Sequence, residues 1–285
     1  MTKLLVLDFD GTMTDAEKEG APYRAGYLAD LALLADKDPD VIQTWAEEFS
    51  EQVNQNPQDY GWKFGGQIVA PACVDPYLRI MPIARMIFDR ASAFKNENER
   101  DRILDRILYK YNYKKTITAF RPHAGDFLQK FDQQSDYQTF IVTNSHTDPV
   151  RDKVQQLGSE FPDGLNWLVE RVHGSAKKYI IDPLFDQIDE HLTLPGLSRP
   201  ILLRRKHYFD VLDDLRSSVG VDWNDVVVLG DIFELDLCLP FSLGATVGLM
   251  RTEFSPNYEV DYLDTHERGA TFWDLNSAAE WLAKL

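Results

Sequence analysis

The sequence has little cysteine, no long hydrophobic run and comparatively few basic residues. Its 285 residues include 2 cysteines, Cys73 and Cys238, too few for a disulfide framework and without the paired spacing of a zinc site. No stretch approaches the roughly 18 consecutive apolar residues that span a bilayer, and the N-terminal apolar run ends at Leu7, too short for a secretory signal. These absences predict a cytoplasmic protein in a reducing compartment, with no membrane partner.

The charge of the chain is strongly acidic. Lys and Arg number 30 against 46 Asp and Glu, which gives a formal net charge of −16. A surface of this sign repels polyanions, so we expect no nucleic-acid partner. Hydrophobic residues make up 44% of the chain, which is enough for a real core and excludes the disordered and fibrous classes.

Short apolar runs alternate with segments of helical spacing. The first run, Lys3 to Leu7, is rich in Leu and Val, and similar runs follow at residues 139–142, 226–229 and 246–250. Short runs of this kind are typical of strands buried on both faces. Strands that alternate with helices predict an α/β protein built on a parallel sheet.

The first and second strands are separated by more sequence than a crossover helix needs. Residues 16–118 carry amphipathic runs broken by Asp38-Pro39, Asn56-Pro57 and Gly65-Gly66. We therefore predict a mostly helical cap subdomain over residues 16–118, inserted into a sheet domain of residues 1–15 and 119–285. The sequence assigns no elements to residues 147–200.

A dense group of polar residues follows the first strand. Asp8, Asp10, Gly11 and Thr12 form an Asp-x-Asp-Gly-Thr run, at the strand end where open α/β sheets bind ligands. The ordinary explanation is an acidic turn, since Asp-Gly is a common turn dipeptide. Four fixed residues match by chance roughly a few times in a thousand chains of this length, which favours a functional site.

This run makes the chain resemble the haloacid dehalogenase-like hydrolase superfamily, whose first motif is Asp-x-Asp-Gly-Thr after the first strand. Thr143 ends the next core strand, as the second motif of that family requires. Asp231 and Asp236 follow a further strand in the form Gly-Asp-x-x-x-x-Asp of the fourth motif. The resemblance implies a Rossmann-like parallel sheet core with an inserted helical cap.

The third motif of the family is a Lys or Arg upstream of the acidic pair. Lys206 lies at a suitable separation, but His207 follows it where the family often has Pro. Arg205 and Lys178 remain alternatives. We assign Lys206 as the expected residue and leave the alternatives open.

These residues predict a phosphoryl-transfer reaction. A carboxylate attacks a phosphate ester only once a divalent cation offsets the repulsion, so Asp8 is the expected nucleophile and Mg²⁺ the expected cofactor. Asp8, Asp231 and the backbone carbonyl of Asp10 are the expected metal ligands, with Asp236 acting on those ligands rather than on the ion. The Asp10 side chain is the expected general acid and base.

The phosphoryl oxygens need donors and positive charge. Thr143, the backbone N–H of Asn144 and the Lys206 ammonium are expected to bind them. Gly11 fits a tight turn beside a ligand.

Asp10 favours phosphoryl transfer, because relatives that cleave carbon–halogen bonds lack an acid at this position. We therefore expect a Mg²⁺-dependent phosphatase that hydrolyses a small phosphorylated metabolite through an aspartyl-phosphate. A phosphomutase or other phosphotransferase shares every one of these residues and is the closest alternative. A non-enzymatic phosphate- or metal-binding regulatory module is a further one.

The cap of similar family members closes over the site and selects small substrates. Residues 60–66 mix aromatic, cationic and glycine residues, and Trp62 and Lys63 are therefore candidate specificity residues. Ordinary helix packing with a surface turn is the competing explanation for this segment.

Overall fold

The computed structural model describes residues 2–111, 117–132 and 136–285. Contacts divide the chain into two compact units. Met1–Asp15 and Phe120–Leu285 form the first, here called the core unit, and Ala16–Ala119 form the second, here called the inserted unit. The chain thus leaves the core unit directly after the Asp-x-Asp-Gly-Thr run.

The strands and helices follow one another along the chain. The strands are β1 (Lys3–Leu7), β2 (Gly61–Phe64), β3 (Gln67–Pro71), β4 (Tyr137–Val142), β5 (Val172–His173), β6 (His191–Leu192), β7 (Ile201–Leu202), β8 (Val226–Gly230), β9 (Thr246–Met250) and β10 (Gly269–Phe272). The helices are α1 (Ala16–Ala35), α2 (Pro39–Gln55), α3 (Pro76–Ala91), α4 (Glu97–Tyr111), α5 (Ala124–Asp132), α6 (Thr147–Gly158), α7 (Asn166–Val169), α8 (Lys206–Val219), α9 (Cys238–Leu243), α10 (Asn257–Asp264) and α11 (Leu275–Leu282). A 3₁₀ turn spans Trp223–Asp225 and a π-helical turn spans Phe233–Leu237.

A six-stranded parallel sheet forms the centre of the core unit. Its strand order is β10-β9-β8-β1-β4-β5, and every neighbouring pair runs parallel. Val6 lies beside Phe140 of β4 on one side and Val228 of β8 on the other. The predicted Rossmann-like α/β fold is therefore confirmed, with β1 between β4 and β8.

The two faces of the sheet are buried in separate clusters. Successive side chains of a strand point to opposite faces, so Leu5 and Leu7 pack in one cluster while Leu4 and Val6 pack in the other. The first cluster is completed by α5, α6 and α11, and the second by α8, α9 and α10. Burial on both faces explains why β1 and β8 are uninterrupted apolar runs.

Residues 147–200, to which the sequence assigned no elements, contain little regular structure after α6. The short helix α7 leads into β5, which adds only two residues to the edge of the sheet. Further on, β6 pairs with β7 in an antiparallel bridge between His191 and Leu202. Most of the intervening chain is loop, and one part of that loop contributes to the site described below.

Among its described residues, the inserted unit contains α1 to α4 and one hairpin. Buried apolar side chains of its helices form its interior, among them Tyr23, Tyr27, Leu31, Ile42, Phe49, Ile80, Ile87 and Leu104. The hairpin joins β2 to β3 through Gly65 and Gly66, both with positive φ, as the tight turns of hairpins require. The segment that contains the candidate specificity residues Trp62 and Lys63 is therefore a strand and the turn after it.

Along the described chain, none of the helices is both long enough and apolar enough to cross a membrane.

Candidate active site

Three strand ends of the core unit carry the polar residues that the motifs singled out. Asp8 follows β1, Thr143 follows β4 and Asp231 follows β8. Because these strands are adjacent and parallel, their carboxyl ends meet at one edge of the sheet. The fold therefore gathers the three motifs at one place although up to 223 residues separate them in the chain (231 − 8).

The centre of the site is a buried lysine between two carboxylates. The Lys178 ammonium lies 2.7 Å from Asp8 Oδ1 and 2.8 Å from Asp236 Oδ1. The three side chains are only 1%, 9% and 4% exposed for Lys178, Asp8 and Asp236. Charges this far from water persist only when they are paired and hydrogen-bonded, so these residues act as one unit.

Burial and charge shift the pKa values of this unit in definite directions. Burial raises the pKa of Asp8 to about 7, with Lys178 opposing the rise and Asp236 adding to it. For Lys178, burial acts to lower the pKa, but the carboxylates of Asp236 and Asp8 outweigh it and raise the pKa. Lys178 is therefore firmly charged, and Asp8 depends on nearby positive charge to stay ionised.

Asp236 is held at both carboxylate oxygens. In addition to the Lys178 contact, its Oδ2 accepts a hydrogen bond from the backbone N–H of Ile232 at 3.0 Å. Its own carbonyl accepts from the buried Tyr208 hydroxyl at 2.8 Å. The π-helical turn that follows Asp231 therefore serves to fix the counter-ion of Lys178.

Asp8, Asp231 and Asp236 also form a cluster whose carboxylate oxygens lie within 4.8 Å of one another. The Thr12 hydroxyl lies 3.3 Å from Asp8 Oδ2 and 3.3 Å from Asp231 Oδ1. A hydroxyl has one proton and can donate to only one of these two oxygens at a time. Carboxylate oxygens this close together fit a divalent cation, which prefers oxygen ligands.

Gly11 allows the loop to pass close to this cluster. Its φ is +83°, a conformation that glycine adopts readily, and a Cβ atom there would lie 2.0 Å from Asp231 Oδ2. The Nε of Arg121 donates to the Gly11 carbonyl at 2.9 Å and holds the loop from the other side. A side chain at position 11 would displace a candidate metal ligand.

A second loop holds Lys178 against the end of β4. The backbone N–H of Lys178 donates to Asn144 Oδ1 at 2.8 Å, and that of Ala176 donates to the Thr143 carbonyl at 2.9 Å. Ser175 and Lys177 have positive φ values of 55° and 48°, which cost free energy and persist only where surrounding contacts impose them. The Asn144 side chain is therefore a support for Lys178, a role that the sequence did not indicate.

Thr143 is buried, and its hydroxyl accepts a hydrogen bond from the backbone N–H of Ser145 at 3.1 Å. The hydroxyl keeps its own proton for another acceptor, as phosphate binding requires. The structure thus brings Thr143 and Asn144 to the same sheet edge as Asp8. Their binding of phosphoryl oxygens remains a proposal.

Asp10 lies on the loop beyond Asp8 and is less buried, with 34% of its side chain exposed. Its Oδ2 accepts from the Ser145 hydroxyl at 2.6 Å and its Oδ1 from the Lys153 ammonium at 2.7 Å. The sequence indicated neither Ser145 nor Lys153. Both follow Thr143 closely in the chain, but no motif or periodicity distinguishes them from surface residues.

Lys206, the residue expected at the third motif, contacts Asp210 in the structure. Its ammonium pairs with Asp210 one helical turn away on α8, and 48% of the side chain is exposed. Arg205, the first alternative, is buried but donates to the carbonyls of Lys178 and Leu202. Lys178, the second alternative, is the cation at the carboxylates, because the loop after β5 returns to the end of β4.

Trp62 and Lys63 both lie on β2 of the inserted unit, where Lys63 is exposed and Trp62 partly buried. Their predicted part in specificity stays a prediction.

Comparisons with known proteins identify the family. The sequence model of the haloacid dehalogenase-like hydrolases matches residues 2–237, and no curated protein matches the chain. The fold is similar to a predicted phosphoglycolate phosphatase from Haemophilus somnus, with 15% identity, a TM-score of 0.53 and coverage of 99% of this chain and 98% of that one.

Two further solved structures are similar. One is a conserved haloacid dehalogenase-like protein of unknown function from Agrobacterium tumefaciens, with 14% identity, a TM-score of 0.52 and coverage of 100% and 99%. The other is a haloacid dehalogenase-like family hydrolase from Xanthomonas campestris, with 12% identity, a TM-score of 0.50 and coverage of 99% and 91%. At these identities the likeness shows the fold alone, while the match of the family model over most of the sequence shows that the chain belongs to the haloacid dehalogenase-like hydrolases.

Proposed function

We propose that the protein is a Mg²⁺-dependent phosphatase that hydrolyses a small phosphate monoester through an aspartyl-phosphate on Asp8. One observation carries the proposal. The buried carboxylate of Asp8 contacts Lys178 on one oxygen and faces Asp231 on the other, while Asp10 lies two residues further along the same loop. This arrangement supplies a nucleophile, a cation for the phosphate and a group for proton transfer.

The donor set supports a magnesium ion. Asp8 Oδ2 and Asp231 Oδ1 would hold it, together with the backbone carbonyl of Asp10. Asp236 is less suited to bind the ion directly, since Lys178 and the Ile232 N–H engage its two oxygens. When bound, the ion offsets the charge of the phosphate oxygens that would otherwise repel the attacking carboxylate.

The first half of the reaction breaks the ester. An Asp8 oxygen attacks phosphorus, the bond between phosphorus and the ester oxygen breaks, and the leaving oxygen takes a proton from Asp10. Lys178, the Thr143 hydroxyl and the Asn144 N–H bind the phosphoryl oxygens as their charge develops. The products are a free alcohol and a phosphorylated Asp8.

The second half restores the enzyme. Asp10, now ionised, takes a proton from a water molecule that attacks phosphorus, and the bond to the Asp8 oxygen breaks. Inorganic phosphate is released, and both carboxyl groups return to their starting states. One side chain therefore serves both half-reactions, which is why we take Asp10 as a mark of phosphoryl transfer rather than carbon–halogen cleavage.

We propose in addition that the inserted unit acts as a cap that restricts the site to small substrates. Trp62 and Lys63 are its candidate specificity residues. The hairpin supports this choice, because Phe64 and Lys63 on β2 are exposed beside the Gly65-Gly66 turn.

Phosphate release from a panel of small phosphate esters tests the function. The panel is run with Mg²⁺ and with EDTA, using the wild type, Asp8→Asn and Asp261→Asn, an exposed aspartate of α10. We expect Mg²⁺-dependent release that falls by several orders of magnitude in Asp8→Asn and persists in Asp261→Asn.

Two results would contradict the proposal. Release that survives in Asp8→Asn would exclude the aspartyl-phosphate. Transfer of phosphate between positions of a sugar phosphate without net release would indicate a phosphomutase instead.

A further inference from the structure

Both oxygens of the Asp10 carboxylate are engaged by side chains that the family motifs do not include. The Lys153 ammonium lies 2.7 Å from Oδ1, and the Ser145 hydroxyl donates to Oδ2 at 2.6 Å. The two donors come from different elements, since Lys153 lies on α6 and Ser145 on the loop after β4. A carboxylate held at both oxygens by separate elements has a defined orientation.

The position of Lys153 is set by the packing of α6. Val150 and Val154 of this helix are buried in the cluster on one face of the sheet. Lys153 lies three residues after Val150 and directly before Val154. Its ammonium is 6.0 Å from the ring centre of Phe9, a fully buried residue between the two motif aspartates. The packing of α6 therefore places the Lys153 ammonium beside the loop that carries Asp10.

The position of Ser145 is set by backbone hydrogen bonds. Its N–H donates to Thr143 Oγ1 at 3.1 Å, and its carbonyl accepts from the Ser175 N–H at 2.7 Å. The hydroxyl that reaches Asp10 is thus tied to the same two loops that hold Lys178. Lys153 and Ser145 connect the proton-transfer group to the rest of the site.

Stability does not account for the ion pair. With 22% of Lys153 and 34% of Asp10 exposed, the pair is reached by water, and ion pairs of this kind contribute little to the stability of a fold. Orientation matters far more to proton transfer, because a general acid must lie within hydrogen-bond reach of the oxygen that it protonates. A misplacement of about 1 Å costs on the order of 100-fold in rate.

We propose that Lys153, together with Ser145, is a positioning residue that orients the Asp10 carboxyl group for proton transfer to the leaving oxygen. This inference rests on the proposed function, in which Asp10 is the acid of the first half-reaction. It assigns Lys153 no contact with the phosphate.

The test uses leaving groups that differ in their need for a proton. 4-Nitrophenolate leaves without protonation, whereas an alkoxide does not, so only the alkyl ester depends on a well-oriented Asp10. The quantity to measure is the ratio of kcat/KM for an alkyl phosphate to kcat/KM for 4-nitrophenyl phosphate. Both values report the step that forms phosphorylated Asp8.

The variants are Lys153→Met, which keeps the length of the side chain without its charge, Lys153→Arg, which keeps the charge, and Ser145→Ala. The control is Lys130→Met, which removes an exposed lysine from α5 of the same unit. We expect the ratio to fall about 10- to 100-fold in Lys153→Met and less in Ser145→Ala. Lys153→Arg should recover most of it, and Lys130→Met should match the wild type.

The possible failures are distinguishable. Wild-type protein that releases phosphate from neither ester would refute the proposed function itself. An active wild type with an unchanged ratio in both Lys153→Met and Ser145→Ala would overturn this inference alone. An equal loss for the two esters in Lys153→Met would also overturn it, because Lys153 would then act on the phosphate group or on the fold.

Discussion

Removal of the Lys178 ammonium should destabilise the core unit and make its stability depend on pH. Lys178→Met leaves the buried carboxylates of Asp8 and Asp236 without the cation that lies within 2.8 Å of both. Breaking a buried pair by removing one partner costs about 3–5 kcal/mol. With a urea m-value of about 1–3 kcal/mol/M, the unfolding midpoint should fall by about 1 M or more.

The pH dependence has a definite sign. Lys178 opposes the rise in the pKa of Asp8, which burial already brings to about 7, so its removal raises that pKa further. A carboxyl group whose folded pKa lies above its unfolded value near 3.9 stabilises the fold at low pH and loses this contribution as the pH rises. Lys178→Met should therefore lose less stability at pH 5 than at pH 8.

The assay is urea unfolding in EDTA, followed by tryptophan fluorescence at pH 5 and pH 8. Lys206→Met is the matched control, because its exposed pair with Asp210 is worth only about 0.3–0.5 kcal/mol. The double variant Lys178→Met/Asp236→Asn removes one of the stranded charges and should recover part of the loss. A Lys178→Met protein within about 1 kcal/mol of the wild type at pH 8 would refute the reasoning from the buried pair.

Three further predictions follow from individual residues. Burial raises the pKa of Glu259 well above its usual value, and neither of its carboxylate oxygens has a hydrogen-bond partner among the described residues. Above about pH 4.3 the free energy of unfolding of the wild type should therefore fall relative to that of Glu259→Gln, by up to about 1.4 kcal/mol per pH unit. Urea midpoints from pH 4 to 8 measure this, with the exposed Glu280→Gln as control; parallel curves for wild type and Glu259→Gln would contradict it. Gly11→Ala places a Cβ 2.0 Å from Asp231 Oδ2, a candidate metal ligand. In a Mg²⁺ titration of phosphate release, half-saturation should therefore need a higher Mg²⁺ concentration, and the rate at a fixed concentration should fall at least about tenfold. A titration identical to that of the wild type would refute the close approach. Asp75 caps α3 by accepting hydrogen bonds from two backbone N–H groups. Asp75→Ala should therefore lower the free energy of unfolding by about 1 kcal/mol, while Asp75→Asn should retain it. Equal melting temperatures for the two variants would argue against the cap.

The fold was largely predictable from the sequence because its signals are local. The apolar runs of β1, β4, β8 and β9 reflect burial on both faces of a parallel sheet, and each is visible within a few residues. The hairpin of the inserted unit carried a local signal too, in the Gly65-Gly66 pair, but among amphipathic runs this pair indicates only a break between helices. The part of residues 147–200 after α6 could not be assigned because β5 and β6 are two residues long each, shorter than any periodicity can show.

For the site, the sequence by itself determined the positions of Asp8, Asp10 and Asp231, because each stands directly after a recognisable strand and the parallel sheet brings strand ends together. Only the tertiary structure decided which cationic side chain lies against the aspartates of the site. Lys178 lies in a loop without periodicity, and nothing in its neighbourhood distinguishes it from Lys206, since burial depends on what the rest of the chain places around a side chain. For the same reason the sequence did not indicate Lys153. Its partner Asp10 is distant in the sequence and becomes adjacent only after folding.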